Sequence, residues 1–148
     1  MAIDMIKFTR GVPPPTSFPT ERLISITTDL LKNESSTLLQ YGNSHGYFPL
    51  REMIASQFQV DVDRVILGQG SLQLLDHLLR IEKKKLPSIC IEEPTYDRTI
   101  TIFSRAKAKL TGIPITSDGF DGSYFEKMLA GRKEVDYLYI IPDFQNPS

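Results

Sequence analysis

The chain has 148 residues, 41% apolar and 24% charged, with 17 Lys and Arg against 18 Asp and Glu for a formal charge of −1. One domain's worth of ordinary globular composition excludes a disordered chain, and the near-neutral balance argues against a nucleic-acid or polybasic membrane surface. No apolar run approaches the ~20 residues that span a bilayer, and Asp4 and Lys7 interrupt any N-terminal signal core. A single cysteine excludes an intrachain disulfide framework, and with only two histidines a soft-ligand metal site is not expected. The expected class is a cytoplasmic globular domain with no metal, nucleic-acid or membrane partner.

The first twenty residues read as an extended arm, because Pro13, Pro14, Pro15 and Pro19 cannot sit inside a helix. Leu23, Ile26, Leu30 and Leu31 then recur at helical spacing from Thr20 to Lys32, and Asn33 to Ser36 are expected to end that helix. Gln40 to Gly46 is turn-rich, with His45 a solvated turn residue. Pro49 fits the first turn of a second helix that aligns Leu50, Met53, Ile54 and Phe58. From residue 61 the rhythm changes. VDVDRVILGQG reads as a strand and turn, and SLQLLDHLLRIEKKK as a helix with Leu72, Leu75, Leu78 and Leu79 inward. LPSICIEEP is a second strand with Cys90 buried in it, TYDRTITIFSRAKA a helix, and KLTGIPIT a third strand. A turn, a short helix from Gly122, a fourth strand in VDYLYIIP and a terminal loop complete the chain. Strands alternating with helices at this spacing imply an α/β fold: an arm plus a mostly parallel sheet with flanking helices.

In such sheets ligands gather at the carboxyl ends of the strands. Gly68-Gln69-Gly70-Ser71 joins a strand to a helix and can present backbone N–H groups to an anion, or be an ordinary helix cap with Ser71 as the capping side chain. Gly68-x-Gly70 also begins a dinucleotide fingerprint, with Glu92 or Glu93 as the later acidic residue, but Gln73 stands where the third glycine belongs. Tyr96 can lie flat over a heteroaromatic ring or be a core tyrosine. Asn146 can bond a ligand hydroxyl or form a plain Asn-Pro turn. Asp76 and His77 are adjacent on one helix and cannot form a triad with Ser71.

Five stretches, RGVPPPTSFP at 10–19, LQYGNSHGYFPLREMIA at 39–55, DRVILGQGSLQLLDHL at 63–78, IEEPTY at 91–96 and IPDFQNPS at 141–148, together resemble class I/II (fold type I) pyridoxal-phosphate aminotransferases. Within them the likeness is to the kynurenine/α-aminoadipate aminotransferase subgroup and to the aminotransferase-like domains of MocR regulators. It covers nearly the whole chain, as the N-terminal portion of such a protein: residues 1–35 as arm and first helix, and 36–148 as an incomplete part of the cofactor-binding large domain.

The resemblance implies that Gly70, Ser71 and the Leu72 backbone hold the phosphate of pyridoxal 5'-phosphate, Tyr96 stacks on its ring and Asn146 bonds its phenolic oxygen. Gly11 would approach the substrate carboxylate, and Tyr41 would reach into the partner's site of a homodimer. The family often carries Gln where this chain has Leu72, which keeps only a backbone contact. No catalytic residue carries over, because the Schiff-base lysine lies downstream of the Asn-Pro motif. Lys127 and Lys133 lie on or beside a predicted surface helix, outside any Ser-rich lysine motif.

The expected function is therefore the N-terminal part of an enzyme moving an amino group between an amino acid and a 2-oxo acid, inactive alone. Three alternatives stay open: an effector-sensing MocR-type domain, a dinucleotide-binding domain, and a decayed chain with a structural role. The regulator reading expects a DNA-binding segment ahead of the arm, whereas Met1 leads directly into it.

Overall fold

The computed structural model describes residues 12–82, 86–131 and 134–147. They fall into two compact units, one ending at Ile66 and the other beginning at Leu67. No helix among the described residues is long and apolar enough to cross a membrane.

The first unit holds two short 3-10 turns, at Pro15–Ser17 and Val62–Arg64, and two helices, α1 (Thr20–Leu38) and α2 (Phe48–Phe58). Helix α1 begins where expected but runs through Asn33 to Ser36 instead of ending there. Neither Gly nor Pro occurs in that stretch, and Asn and Ser each cost only ~0.5 kcal/mol relative to Ala in a helix interior, so propagation continues. The α1 stripe of Leu23, Ile26, Leu30 and Leu31 faces solvent. Pro49 sits in the first turn of α2 as expected.

The strand expected at VDRVIL is absent, and Arg51 supplies a physical reason. Its side chain is buried, with Nε donating to the Val65 carbonyl at 2.8 Å and Nη2 to the Val62 carbonyl at 2.7 Å. Val65 has extended dihedrals, but its carbonyl is bonded to a guanidinium rather than to a ladder. Asp63 lies 3.7 Å from Arg51 but is exposed, so the two carbonyls, not that ion pair, account for the buried cation.

In the second unit the elements run α3 (Ser71–Ile81), β1 (Ser88–Glu93), α4 (Asp97–Arg105), β2 (Lys109–Thr116), β3 (Gly119–Phe120), α5 (Gly122–Ala130) and β4 (Tyr137–Tyr139). The sheet order is β3-β2-β1-β4, with β1 parallel to both β2 and β4. The antiparallel β3 is an addition to the expected elements: Thr116 pairs with Gly119 around a tight turn.

Alternation along β1 sends Ile89 and Ile91 to one face and Cys90 to the other. Ile89 and Ile91 pack with Phe103 of α4 and with Leu75 and Leu79 of α3. Cys90, fully buried as expected, packs with Ile113 and with Met128 of α5. Both faces of the central strand are thus covered, as a parallel sheet requires. Leu78, expected inward, is 47% exposed, because Leu75 and Leu79 already fill the stripe that faces the sheet. Phe103 meets the Tyr139 ring edge-on at 5.6 Å.

Truncating Phe103, which is 1% exposed, to Ala should lower stability by about 3–5 kcal/mol. Leu78→Ala should stay within about 1 kcal/mol. Urea unfolding of the two variants measures the contrast, and equal losses would contradict the assigned core.

Candidate functional site

Because β1 and β4 are parallel neighbours, the segments that follow them leave the same edge of the sheet. β1 delivers Pro94, Thr95 and Tyr96 there, and β4 delivers Ile140 to Pro147. The Glu93–Pro94 and Asn146–Pro147 peptides are both cis. The two loops are joined by hydrogen bonds. Glu92 Oε2 accepts from the Ile141 N–H at 3.0 Å and from Gln145 Nε2 at 3.4 Å, and Gln145 Nε2 also donates to the Pro94 carbonyl at 2.9 Å. Tyr96 is half-buried as the residue preceding α4, and its carbonyl accepts from the Thr99 N–H at 3.2 Å. Asn146 is exposed. Thr95 Oγ1 is buried and has no hydrogen-bond partner among the described residues.

Helix α3 brings its first turn to the same edge. Its far end is fixed by Glu82, which accepts a hydrogen bond from the Tyr137 hydroxyl at the start of β4. That bond, with burial and the negative charges of Glu82 and Asp136, raises the Tyr137 pKa above the ordinary tyrosine value, since ionising the phenol would lose the bond and oppose like charges. With Glu82 at the amino edge and Leu75 and Leu79 packed on β1, eleven residues rising ~1.5 Å each carry Ser71 back toward the carboxyl edge.

The start of α3 is built by Gly70 and Gln73. Gly70 is the N-cap residue at φ 85°, ψ 161°, a conformation open to glycine and strained for other residues. Gln73 folds back so that its Oε1 accepts the Gln69 N–H at 2.7 Å. The first helical acceptor bond runs from the Leu74 N–H to the Gly70 carbonyl, leaving the N–H groups of Ser71, Leu72 and Gln73 ahead of it. Ser71 is the first helical residue, not the cap expected as one reading. Its hydroxyl is exposed and makes no hydrogen bond among the described residues. The arrangement can hold an anion: free N–H groups, a hydroxyl and the positive end of a helix converge at one place.

Tyr41 is fully exposed in the first unit, after α1, and Gly11 and Lys133 lie outside the described residues. Lys127 is in the last turn of α5, the helix that leads back to the start of β4, and so belongs to the opposite, amino edge. His45 bonds Asn43 in its turn. Glu93 lies across Gly112, where a Cβ would come within 2.1 Å of its carboxylate. The sequence points to Glu92 only as one of two candidates for the later acidic residue of a partial dinucleotide fingerprint, and does not single out Gln145 or Thr95. A signal for Glu92 exists, since a carboxylate next to an apolar strand core needs donors.

Residues 3–134 match the model of the family "Aminotransferase class I and II". The chain belongs to the class I and II aminotransferase family. It is 30% identical to the 2-aminoadipate transaminase of Thermus thermophilus over 144 residues, covering 97% of this chain and 36% of that protein. It is also 30% identical to the aromatic-amino-acid aminotransferase 1 of Thermococcus litoralis, covering 98% of this chain and 37% of that one. Its fold superposes on the α-aminoadipate aminotransferase of Thermus thermophilus, solved with N-(5'-phosphopyridoxyl)-L-leucine, at a TM-score of 0.86 and 30% identity, over 95% of this chain and 36% of the other. A helix-turn-helix transcriptional regulator of Bacillus subtilis is 23% identical over 98% of this chain and 30% of its own length. This aminotransferase-family chain thus spans about a third of the length of the relatives it matches. Its α/β fold is that of the fold type I aminotransferases over about a third of their length.

Gly70→Ala should cost about 1–3 kcal/mol from its positive φ alone. Gly122→Ala, with open space around it and no positive φ, should lie within about 1 kcal/mol of the parent. Thermal unfolding of both checks this, and a harmless Gly70→Ala would contradict the geometry at the start of α3.

Proposed function

We propose that this chain forms the cofactor-holding N-terminal part of a pyridoxal-phosphate aminotransferase, which moves an amino group between an amino acid and a 2-oxo acid. The observation that carries the reading is the convergence at one sheet edge of an anion-ready helix start with the Tyr96 and Asn146 loops. The residues fit the cofactor: an open helix start suits a phosphate, an aromatic suits a ring face, and an exposed amide suits a phenolic oxygen. When bound, pyridoxal phosphate supplies an electron sink for the pair released at a substrate's α-carbon.

On this reading the Ser71 hydroxyl and the Leu72 N–H bind phosphate beside Gly70. Tyr96 covers one face of the ring and excludes water from it, while the Asn146 amide donates to the phenolic oxygen and favours its anionic form. Gly11 and Tyr41 act on the substrate side, Gly11 near the carboxylate and Tyr41 in the site of the partner subunit of a homodimer. The arm and α1, which runs on past residue 35 to Leu38, precede part of the large domain, in a cytoplasmic protein whose Schiff-base lysine lies outside these residues. The alternative of an effector-sensing domain draws on the likeness to the helix-turn-helix regulator and would use the same sheet edge without amino transfer.

The 148-residue chain should bind pyridoxal phosphate reversibly and catalyse no amino transfer. Ser71→Ala and Asn146→Ala should each weaken binding roughly 5- to 10-fold, the worth of about one hydrogen bond. Absorbance titration followed by borohydride reduction and peptide mass analysis measures this. A reduced pyridoxyl group on Lys127 would contradict the assignment of that residue to the opposite edge, and unchanged binding in both variants would contradict the site.

A further inference from the structure

Glu92 is 4% exposed and carries its carboxylate at the point where β4 has stopped pairing with β1. The last ladder pair is Ile91 with Tyr139, so the N–H of Ile141, two residues on, has passed the end of the ladder. A half-buried backbone donor past the ladder needs an acceptor, and Glu92 Oε2 supplies one at 3.0 Å. The same oxygen faces Gln145 Nε2 at 3.4 Å, and that nitrogen reaches the Pro94 carbonyl at 2.9 Å. One amide nitrogen carries two hydrogens, so it can serve both acceptors. An apolar side chain would fill a buried strand position at lower desolvation cost. What the carboxylate adds is an acceptor aimed across strands at the loop that ends in Asn146.

We propose that Glu92 is a positioning residue: through Ile141 and Gln145 it fixes Asn146 relative to the Tyr96 loop. It thereby sets the separation between the amide and the ring that meet one cofactor. The proposal rests on the pyridoxal-phosphate reading and extends it to a residue that touches no cofactor. Gln145 is the coupling element, since it sits next to Asn146 and is bonded to both the strand and the Pro94 loop.

Two measurements on the 148-residue chain test this. In amide hydrogen exchange, Glu92→Met should speed exchange at Ile141 at least about tenfold while Cys90 and Ile113 keep their protection. Glu92→Gln, whose amide oxygen can still accept, should stay within about threefold of the parent. Unchanged protection of Ile141 in Glu92→Met overturns the proposal.

The second measurement is binding of 4'-deoxypyridoxine 5'-phosphate, which has the phosphate, ring and phenolic oxygen but no aldehyde. Glu92→Met should weaken it about tenfold in the parent and less than about threefold in the Asn146→Ala background, because a residue that acts through Asn146 loses its effect when that amide is gone. Equal loss in both backgrounds means bulk support of the fold and overturns the positioning role. Gln145→Leu, at a half-exposed position, should reproduce the same pattern and decides the matter if Glu92→Met does not fold. A parent chain that protects Ile141 but binds no probe overturns the cofactor reading and the positioning role with it, whereas unchanged protection of Ile141 in Glu92→Met, with binding still weakened by Asn146→Ala, overturns the role of Glu92 alone.

Discussion

Parallel pairing of β1 with β2 and β4 obliges the chain to return to the same edge of the sheet before each strand. The segments that leave the parallel strands β1, β2 and β4 then collect at the opposite edge. There the ladder ends, so backbone N–H groups need other acceptors. Glu92 answers that need for Ile141, Gln73 answers it for Gln69, and the first turn of α3 leaves its N–H groups for a ligand. The candidate site is thus a consequence of strand direction: it gathers at the carboxyl edge, where the first turn of α3 leaves N–H groups without a helical acceptor.

Much of this was legible in the sequence because it rests on local periodicity. Ile89, Cys90 and Ile91 gave β1 and its two covered faces, and Pro49 located the first turn of α2. The departures trace to partners that periodicity does not reveal. The Val65 segment looked like a strand, but Arg51, fourteen residues earlier, takes its carbonyl. Leu78 matched the helical stripe as well as Leu79 did, and only packing against Ile89 and Phe103 separates them. Asn33 to Ser36 looked like a stop, yet no residue there forbids helix.

The candidate site was legible in part, and for a different reason. Loop chemistry by itself left Ser71, Tyr96 and Asn146 each with an ordinary structural explanation, and only their joint resemblance to one family selected a cofactor. Their shared location at one edge follows from the parallel β1–β4 register and from the Glu82–Tyr137 contact that orients α3. The contacts that hold the loops, between Glu92, Gln145 and Pro94, span about fifty residues and have no local signature.

On the proposed reading, the first turn of α3 and the loops after β1 and β4 form one ligand site. A residue-resolved nuclear magnetic resonance titration of the amide protons with pyridoxamine 5'-phosphate tests it most directly. The largest shifts should fall on Ser71, Leu72 and Gln73, with Tyr96 and Asn146 moving at the same ligand concentration. Shifts confined to the amino edge around Tyr137 and Lys127, or titration of α3 and the two loops at different concentrations, would contradict it.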